Sequence, residues 1–197
     1  MTTIVGNVYD KYNSQNPVAR WLMAGFLNSV SELYNLMQPA SILEVGCGEG
    51  ALADHLLKHA LKRPTRFVAC DLSLEVVDSR VDPLIEFRQS SIYELPYSEN
   101  EFELVVCCEV LEHLEHPQQG LAEIARVAEK GVLLSTPWEP IWRLLNLARG
   151  KYMMKFGNTP GHIQHFSRQD LTNLAQTHLK VVQTRTPLPW TIILGVP

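Results

Sequence analysis

Residues 42–50 read Ile42-Leu43-Glu44-Val45-Gly46-Cys47-Gly48-Glu49-Gly50. A short apolar run breaks into three glycines at alternate positions, which suits a buried strand that turns sharply at its end. Working outward, the hydrophobic period changes. Residues 50–62 place Leu52, Leu56, Leu57 and Leu61 on one side, a helical spacing. FVACDL (67–72) predicts a second strand, LEVVDSR a short helix, IEFRQSS (85–91) a third strand and FELVVCCEV (102–110) a fourth. A helix over 117–130 and a fifth strand over 131–137 follow, then a helix over 168–179. VVQTRTP and TIILGVP suit a last pair of strands. Upstream, residues 17–37 repeat apolar side chains at Leu22, Phe26, Val30, Leu33 and Met37, with Pro17 in the first turn and Gln38-Pro39 at the end. Strands alternating with helices predict an α/β fold, a parallel sheet with helices on both faces. Ligands of such sheets bind at the carboxyl ends of the strands, where strand order reverses.

Composition narrows the class. A chain of 197 residues is expected to form a single domain, 1–197. With 46% hydrophobic and 19% charged residues it can bury a core. A net charge of −4 argues against an electrostatic nucleic-acid binder. No apolar run reaches bilayer length. The start, MTTIVGNVYDKYN, has no basic stretch leading into an apolar one, so no signal peptide is expected. Cys47, Cys70, Cys107 and Cys108 form no CxxC pair and sit in or beside strand-like runs, so they read as core thiols of a cytoplasmic protein.

The glycine spacing is GxGxG, not the GxGxxG of dinucleotide sites. Glu44 and Glu49 would repel a pyrophosphate and tolerate a cation. Asp71 ends the second strand, where an acid can accept hydrogen bonds from both ribose hydroxyls and excludes a 2′-phosphate. The pattern fits an adenosine ligand without that phosphate and disfavours an NAD-dependent oxidoreductase.

ILEVGCGEG followed by ACDLS resembles motifs I and II of the class I S-adenosylmethionine-dependent methyltransferases. SIYELPYSENEFELVVCCEVLEHLEHP and GLAEIARV extend the resemblance, and are similar to the small-molecule methyltransferases of quinone biosynthesis (type 11). It covers about residues 40–137. The resemblance implies a Rossmann-like seven-stranded, mostly parallel sheet with the last strand antiparallel. It also implies roles. Gly46, Cys47, Gly48 and Gly50 would lie under the methionine and ribose of S-adenosylmethionine, and Glu44 would support that loop. Asp71 would hold the ribose diol, with Leu72 against the adenine. Ser91 and Ile92 would reach the adenine edge, and Cys108 and Glu109 would flank the methionine end. Ser91 departs from the family, which usually has an acid there; a hydroxyl accepts less strongly from the adenine amino group.

The sulfonium already carries an activated methyl group, so the protein must mainly align a nucleophile and exclude water. A base is needed where the acceptor loses a proton. Candidates are Glu112, His113 and His165, which we read as catalytic. If residues 109–113 are helical, Glu109, Glu112 and His113 share one face. Glu109, Glu112, His113 and His165 would also suit a divalent Mg, Mn or Zn ion. That pattern resembles the small-RNA 2′-O-methyltransferases. A short helix capped by Glu112 and His113 without metal is the plain structural alternative. His55, His59, His116 and His178 read as solvated helix residues.

Residues 138–165 are too long for a plain connection and form an expected insertion or lid. From 141 to 156 the charges are Arg143, Arg149, Lys151 and Lys155, with no acid, among Trp142, Leu144, Leu145, Tyr152, Met153, Met154 and Phe156. Such a segment can cover an apolar acceptor or lie on a membrane surface; a helix with one packed and one solvated face is the alternative. An N-terminal helical cap, 1–38, with Tyr9 and Tyr12 ahead of its helix, is expected to close the other side. The expected function is methyl transfer from S-adenosylmethionine to oxygen or carbon of a small-molecule or lipid-like acceptor, not nucleic acid. The alternatives are a metal-dependent RNA 2′-O-methyltransferase and a non-catalytic S-adenosylmethionine-binding protein.

Overall fold

The computed structural model describes residues 15–78, 80–148, 150, 152–153 and 156–197. Tyr9, Tyr12 and the start of the expected 1–38 cap lie outside the described residues, as do Arg149, Lys151, Met154 and Lys155. Among the described residues five α-helices, α1 (Pro17–Met37), α2 (Ala51–Lys58), α3 (Pro117–Val127), α4 (Glu139–Ala148) and α5 (Arg168–Ala175), surround seven strands. The strands are β1 (Ser41–Val45), β2 (Arg66–Asp71), β3 (Ile85–Gln89), β4 (Phe102–Cys108), β5 (Ala128–Pro137), β6 (Lys180–Arg185) and β7 (Trp190–Val196).

The sheet order is β3-β2-β1-β4-β5-β7-β6. The central β1 pairs in parallel with β2 (Leu43 opposite Val68) and β4 (Leu43 opposite Val105). Strand order reverses between β1 and β4, so the crevice opens at the ends of those two strands. Only β7 runs antiparallel, between β5 and β6. The expected seven-stranded, mostly parallel sheet with an antiparallel last strand is therefore present. Strands buried on both faces need no alternation, which is why LVVC reads as an unbroken apolar run and ILEV is interrupted only by Glu44.

One face packs α1 and α2, through Met23, Phe26, Val30, Leu33, Leu52 and Leu56, against Ile42, Phe67 and Leu133. The other packs α3 and α5, through Leu121, Ile124, Leu171 and Leu174, against Val105 and Leu134. Asn16 caps α1 by accepting from Val18 N and Ala19 N, and Gln38 ends it in the left-handed region ahead of Pro39. The buried stripe of α1 includes Met23 and Tyr34, while Leu22 and Met37 are only partly covered. Phe26 meets Trp190 at 5.0 Å, whereas Met37 lies against Gly131. The N-terminal half of α1 is thus at the carboxyl ends of the parallel strands.

Three expectations change. The short helix expected over 74–80 does not form among the described residues; turns stand there. Ser73 Oγ accepts from Glu75 N and Asp78 Oδ1 from Arg80 N, local bonds that compete with a helix. The helix over 117–130 stops at Val127, and β5 begins at Ala128, where Lys130 Nζ donates to Glu103 Oε1 at 2.6 Å. His55 is half-buried, not solvated: its Nε2 pairs with Ser31 Oγ at 3.1 Å, and burial followed by the neighbouring His59 lowers its pKa to about 4. No helix among the described residues is long and apolar enough to cross a membrane.

Candidate functional site

The loop after β1 is held from below. Gly46 N and Cys47 N both donate to Cys70 O, at 2.8 and 3.1 Å. Gly46 has φ +78°, and a Cβ there would sit 2.3 Å from Val110 Cγ2. Gly48 has φ +53° for a different reason: nothing lies within 4 Å of where its Cβ would point. That open surface over a backbone turn is where a ligand can lie directly on the chain. Asp71, at the end of β2, accepts from Gly48 N at 2.8 Å and so fixes the loop.

Beneath the loop Glu44 is 3% exposed. Burial first, then the negative charge of Asp71, push its pKa up to about 8, against a lowering bond from the Ala53 backbone. Its Oε2 has no hydrogen-bond donor. A buried acid with an unmet acceptor, beside an open glycine turn and a second acid, suits a cationic adenosine compound rather than a pyrophosphate. Folded Glu44 keeps its proton well above the ordinary value of 4.5. The folded state therefore holds the extra proton between about pH 4.5 and 8, and stability falls as pH rises through that window. Glu44→Gln removes this loss, so its gain in Tm over the parent is larger at about pH 9 than at about pH 5. Melting curves of the free protein check it; an equal gain at both pH values would mean that Glu44 is already ionised.

The other expected cofactor residues lie around this loop in different ways. Leu72 follows Asp71 and is 51% exposed, so an apolar surface is offered there. Ser91 Oγ accepts from Tyr93 N at 3.2 Å. Ile92 is buried in the core beside Gly120. All four cysteines are free. Burial raises every thiol, Cys70 to about 12 and Cys107 and Cys108 far above the usual range, so they act as small apolar groups.

Residues 109–113 do not form the helical face considered above. Glu109 takes φ +62°, and only Leu111–His113 make a single 3-10 turn. Glu109 is drawn instead toward β5 and β7: Ser135 Oγ donates to its Oε1 at 3.2 Å and Trp190 Nε1 to its Oε2 at 2.8 Å. Such a left-handed non-glycine residue persists only when its surroundings hold it.

Glu112 and His113 meet a different histidine from the one expected. Ile163 N and Gln164 N each donate to Glu112 O at 3.0 Å, which draws the returning strap over the 3-10 turn. One ligand atom each from Glu112, His113 and His162 then lies within 4.8 Å of the others. His165 stands apart, with Nε2 on Asn158 Oδ1 at 3.1 Å. Residues 162–167 are not helical, so a spacing of three does not put both histidines on one side. The expected metal set of Glu109, Glu112, His113 and His165 is thus not assembled; Glu112, His113 and His162 are.

His162 is buried, and its Nδ1 pairs with Glu139 Oε1 at 2.6 Å. His113 Nδ1 faces Gly161 O at 2.9 Å, so it donates there. In both rings Nδ1 is engaged by an acceptor, which leaves Nε2 as the basic nitrogen. Neither His162 nor Glu139 was singled out as a reacting group by the sequence. The only signal was two histidines in the same GHIQH segment. The strap is locked to α4: Trp142 Nε1 donates to Thr159 Oγ1 at 2.8 Å and Asn146 Nδ2 to Gly157 O at 2.9 Å.

Comparison with known proteins agrees with this geometry. The family model for a methyltransferase domain matches residues 43–136. A ubiquinone biosynthesis O-methyltransferase of Hahella chejuensis is 33% identical over 99 residues, 46% of this chain and 39% of that protein. The chain spans about a quarter to a half of the length of the first curated relatives it matches. Among solved structures, magnesium protoporphyrin IX methyltransferase of Synechocystis PCC 6803, with bound SAH, superposes with a TM-score of 0.66 at 16% identity, covering 93% of this chain and 89% of that one. The 4+2 cyclase SpnF gives 0.68 at 11% identity, covering 100% and 88%. Likeness at this level is one of fold, and one fold can host different chemistries.

Proposed function

We propose that this chain, which belongs to the class I S-adenosylmethionine-dependent methyltransferases, transfers a methyl group to oxygen or carbon of a small-molecule or lipid-like acceptor. The observation that carries the reading is a juxtaposition. The open glycine turn with Asp71 and Glu44, and the Glu112–His113–His162 cluster, stand at the same end of the sheet. S-adenosylmethionine supplies a methyl group on a cationic sulfur that leaves as a neutral thioether. Gly46, Cys47, Gly48 and Gly50 would support it from below, and Asp71 would accept from its ribose hydroxyls. Leu72, Ser91 and the backbone at Ile92 would meet the adenine. Glu44, Cys108 and Glu109 would border the cationic end.

The remaining residues then act on the acceptor. Glu139 holds His162 Nδ1–H and so presents Nε2 as the base toward an acceptor hydroxyl. Gly161 O does the same for His113. Glu112 adds an anion that stabilises a protonated imidazole. α4 and the described strap residues 156–165 would cover this side, and α1 would close the other. Free buried thiols suit a reducing compartment.

A second reading rests on the same cluster. One carboxylate and two imidazoles within 4.8 Å are a ligand set for a divalent ion. Glu139 and Gly161 would then orient the two histidines from behind, and the ion would lower the pKa of an acceptor hydroxyl. Methyl transfer from labelled S-adenosylmethionine to fractionated cell extract, with and without a chelator, separates the readings. The expected result is label in the organic-soluble fraction. Label in RNA that is lost on chelation would transfer the assignment to a metal-dependent RNA 2′-O-methyltransferase. Calorimetric binding of S-adenosylmethionine without transfer to any fraction would leave a binding protein.

A further inference from the structure

Trp190 opens β7 and is 3% exposed, and its two ends meet different parts of the molecule. Its indole Nε1 donates to Glu109 Oε2 at 2.8 Å. Its ring lies 5.7 Å from that of Trp142 on α4 and 5.0 Å from that of Phe26 on α1. Packing alone asks only for an aromatic ring here; an indole N–H given to a carboxylate is a separate, charge-assisted contact.

The Nε1 end acts on the first half of the acceptor cluster. Glu109 stands at φ +62°, which disfavours any side chain and persists only with anchors. Trp190 supplies one anchor on Oε2, and Ser135 Oγ supplies another on Oε1 at 3.2 Å. The chain runs from Glu109 almost directly into the turn Leu111–His113, where His113 N donates to Val110 O at 2.9 Å. The direction of that turn, and with it the placing of Glu112 and His113, therefore follows from the dihedrals of Glu109.

The ring end acts on the second half. Trp142 Nε1 donates to Thr159 Oγ1 at 2.8 Å, and Thr159 O accepts from His162 N at 3.1 Å. The Trp142 ring is also 6.4 Å from the imidazole of His162. Trp190 thus touches the supports of both halves, Glu109 behind Glu112 and His113, and Trp142 behind His162.

We propose that Trp190 is a positioning residue for the acceptor site. Its N–H fixes the left-handed Glu109 that aims Glu112 and His113, and its ring braces Trp142 behind His162. The reaction served rests on the methyl-transfer reading above; the positioning itself does not.

A double-mutant cycle on the full chain tests it. Trp190→Phe keeps a ring against Trp142 and Phe26 but removes the bond to Glu109. Glu109→Gly adopts the left-handed conformation without an anchor. In the parent, Trp190→Phe is expected to lower methyl transfer from labelled S-adenosylmethionine to the organic-soluble fraction by about 10–10²-fold, since a misplacement near 1 Å suffices for such a loss. In the Glu109→Gly background the same change is expected to cost less than about threefold. Ser135→Ala acts on the same carboxylate, so it should repeat the pattern with a smaller effect, and it replaces Trp190→Phe if that variant does not fold. The ring resonances of His113 in NMR spectra of the free protein give a readout independent of turnover. Trp190→Phe should shift them in the parent and leave them in place in the Glu109→Gly protein. Equal effects in both backgrounds, or none in either, reduce Trp190 to packing and overturn the proposal. So does a fall in S-adenosylmethionine affinity as large as the fall in transfer, which places the effect at the cofactor. If the His113 resonances show the coupling while the parent transfers methyl to no fraction, the positioning stands and the methyl-transfer reading falls.

Discussion

Glu112→Gln combined with His113→Ala abolishes methyl transfer, and His162→Ala alone lowers it by about 10²–10⁴-fold, the usual worth of a positioned base. In each case affinity for S-adenosylmethionine stays near that of the parent, because the cluster is separate from the glycine loop. The physical reason is the assembly of three groups around one small space, within 4.8 Å, with Glu139 only 2.6 Å from His162 Nδ1. Glu139→Gln keeps a hydrogen-bond acceptor for Nδ1 but removes the carboxylate that stabilises imidazolium, so a smaller loss is expected. His165→Ala, by contrast, should cost less than about tenfold, since His165 is engaged by Asn158 outside the cluster. Rates and calorimetric affinities measured together check the set. Full turnover in the Glu112→Gln, His113→Ala protein would remove both from the mechanism, and loss of cofactor affinity would make the cluster part of that site instead.

Asp71→Ala weakens S-adenosylmethionine binding by about 1–3 kcal/mol, or roughly 5–150-fold. Two losses act together. The ribose hydroxyls lose their acceptor, and Gly48 N loses the carboxylate that holds the loop at 2.8 Å. Asp71→Asn retains one acceptor oxygen and is expected to lose less. Calorimetry with S-adenosylmethionine and with NADH distinguishes the assignments. Unchanged affinity for the first would displace Asp71 from the ribose, and tight binding of the second would revive the oxidoreductase reading that Glu44 and Glu49 disfavour.

Much of the cofactor side was legible because it is local. A strand, a turn at Gly46 and Gly48 and an acid at the end of the next strand lie within 30 residues, and each follows from backbone geometry or from a single charge. The acceptor side was legible only in part. Glu112 and His113 were found as a pair of reactive types, but their partner was misplaced by three residues. The reason is that GHIQH is not helical, so sequence spacing there says nothing about facing. Glu109 was grouped with them on the assumption of a helix, and its left-handed φ sends its carboxylate to Ser135 and Trp190.

By itself, then, the sequence determined the α/β alternation, the buried parallel strands, the glycine turn and the acid beside it, because hydrophobic period and turn chemistry act over short stretches of chain. Only the tertiary structure decided which histidine joins Glu112, that Glu139 orients it, and that Trp190 meets both Glu109 and Trp142. Those depend on backbone bonds between segments some 50 residues apart, Ile163 and Gln164 to Glu112, and on side-chain contacts that bring the start of β7 to the end of β4 and to α4. Contacts of that separation are set by the packing of the whole domain, and no local pattern encodes them.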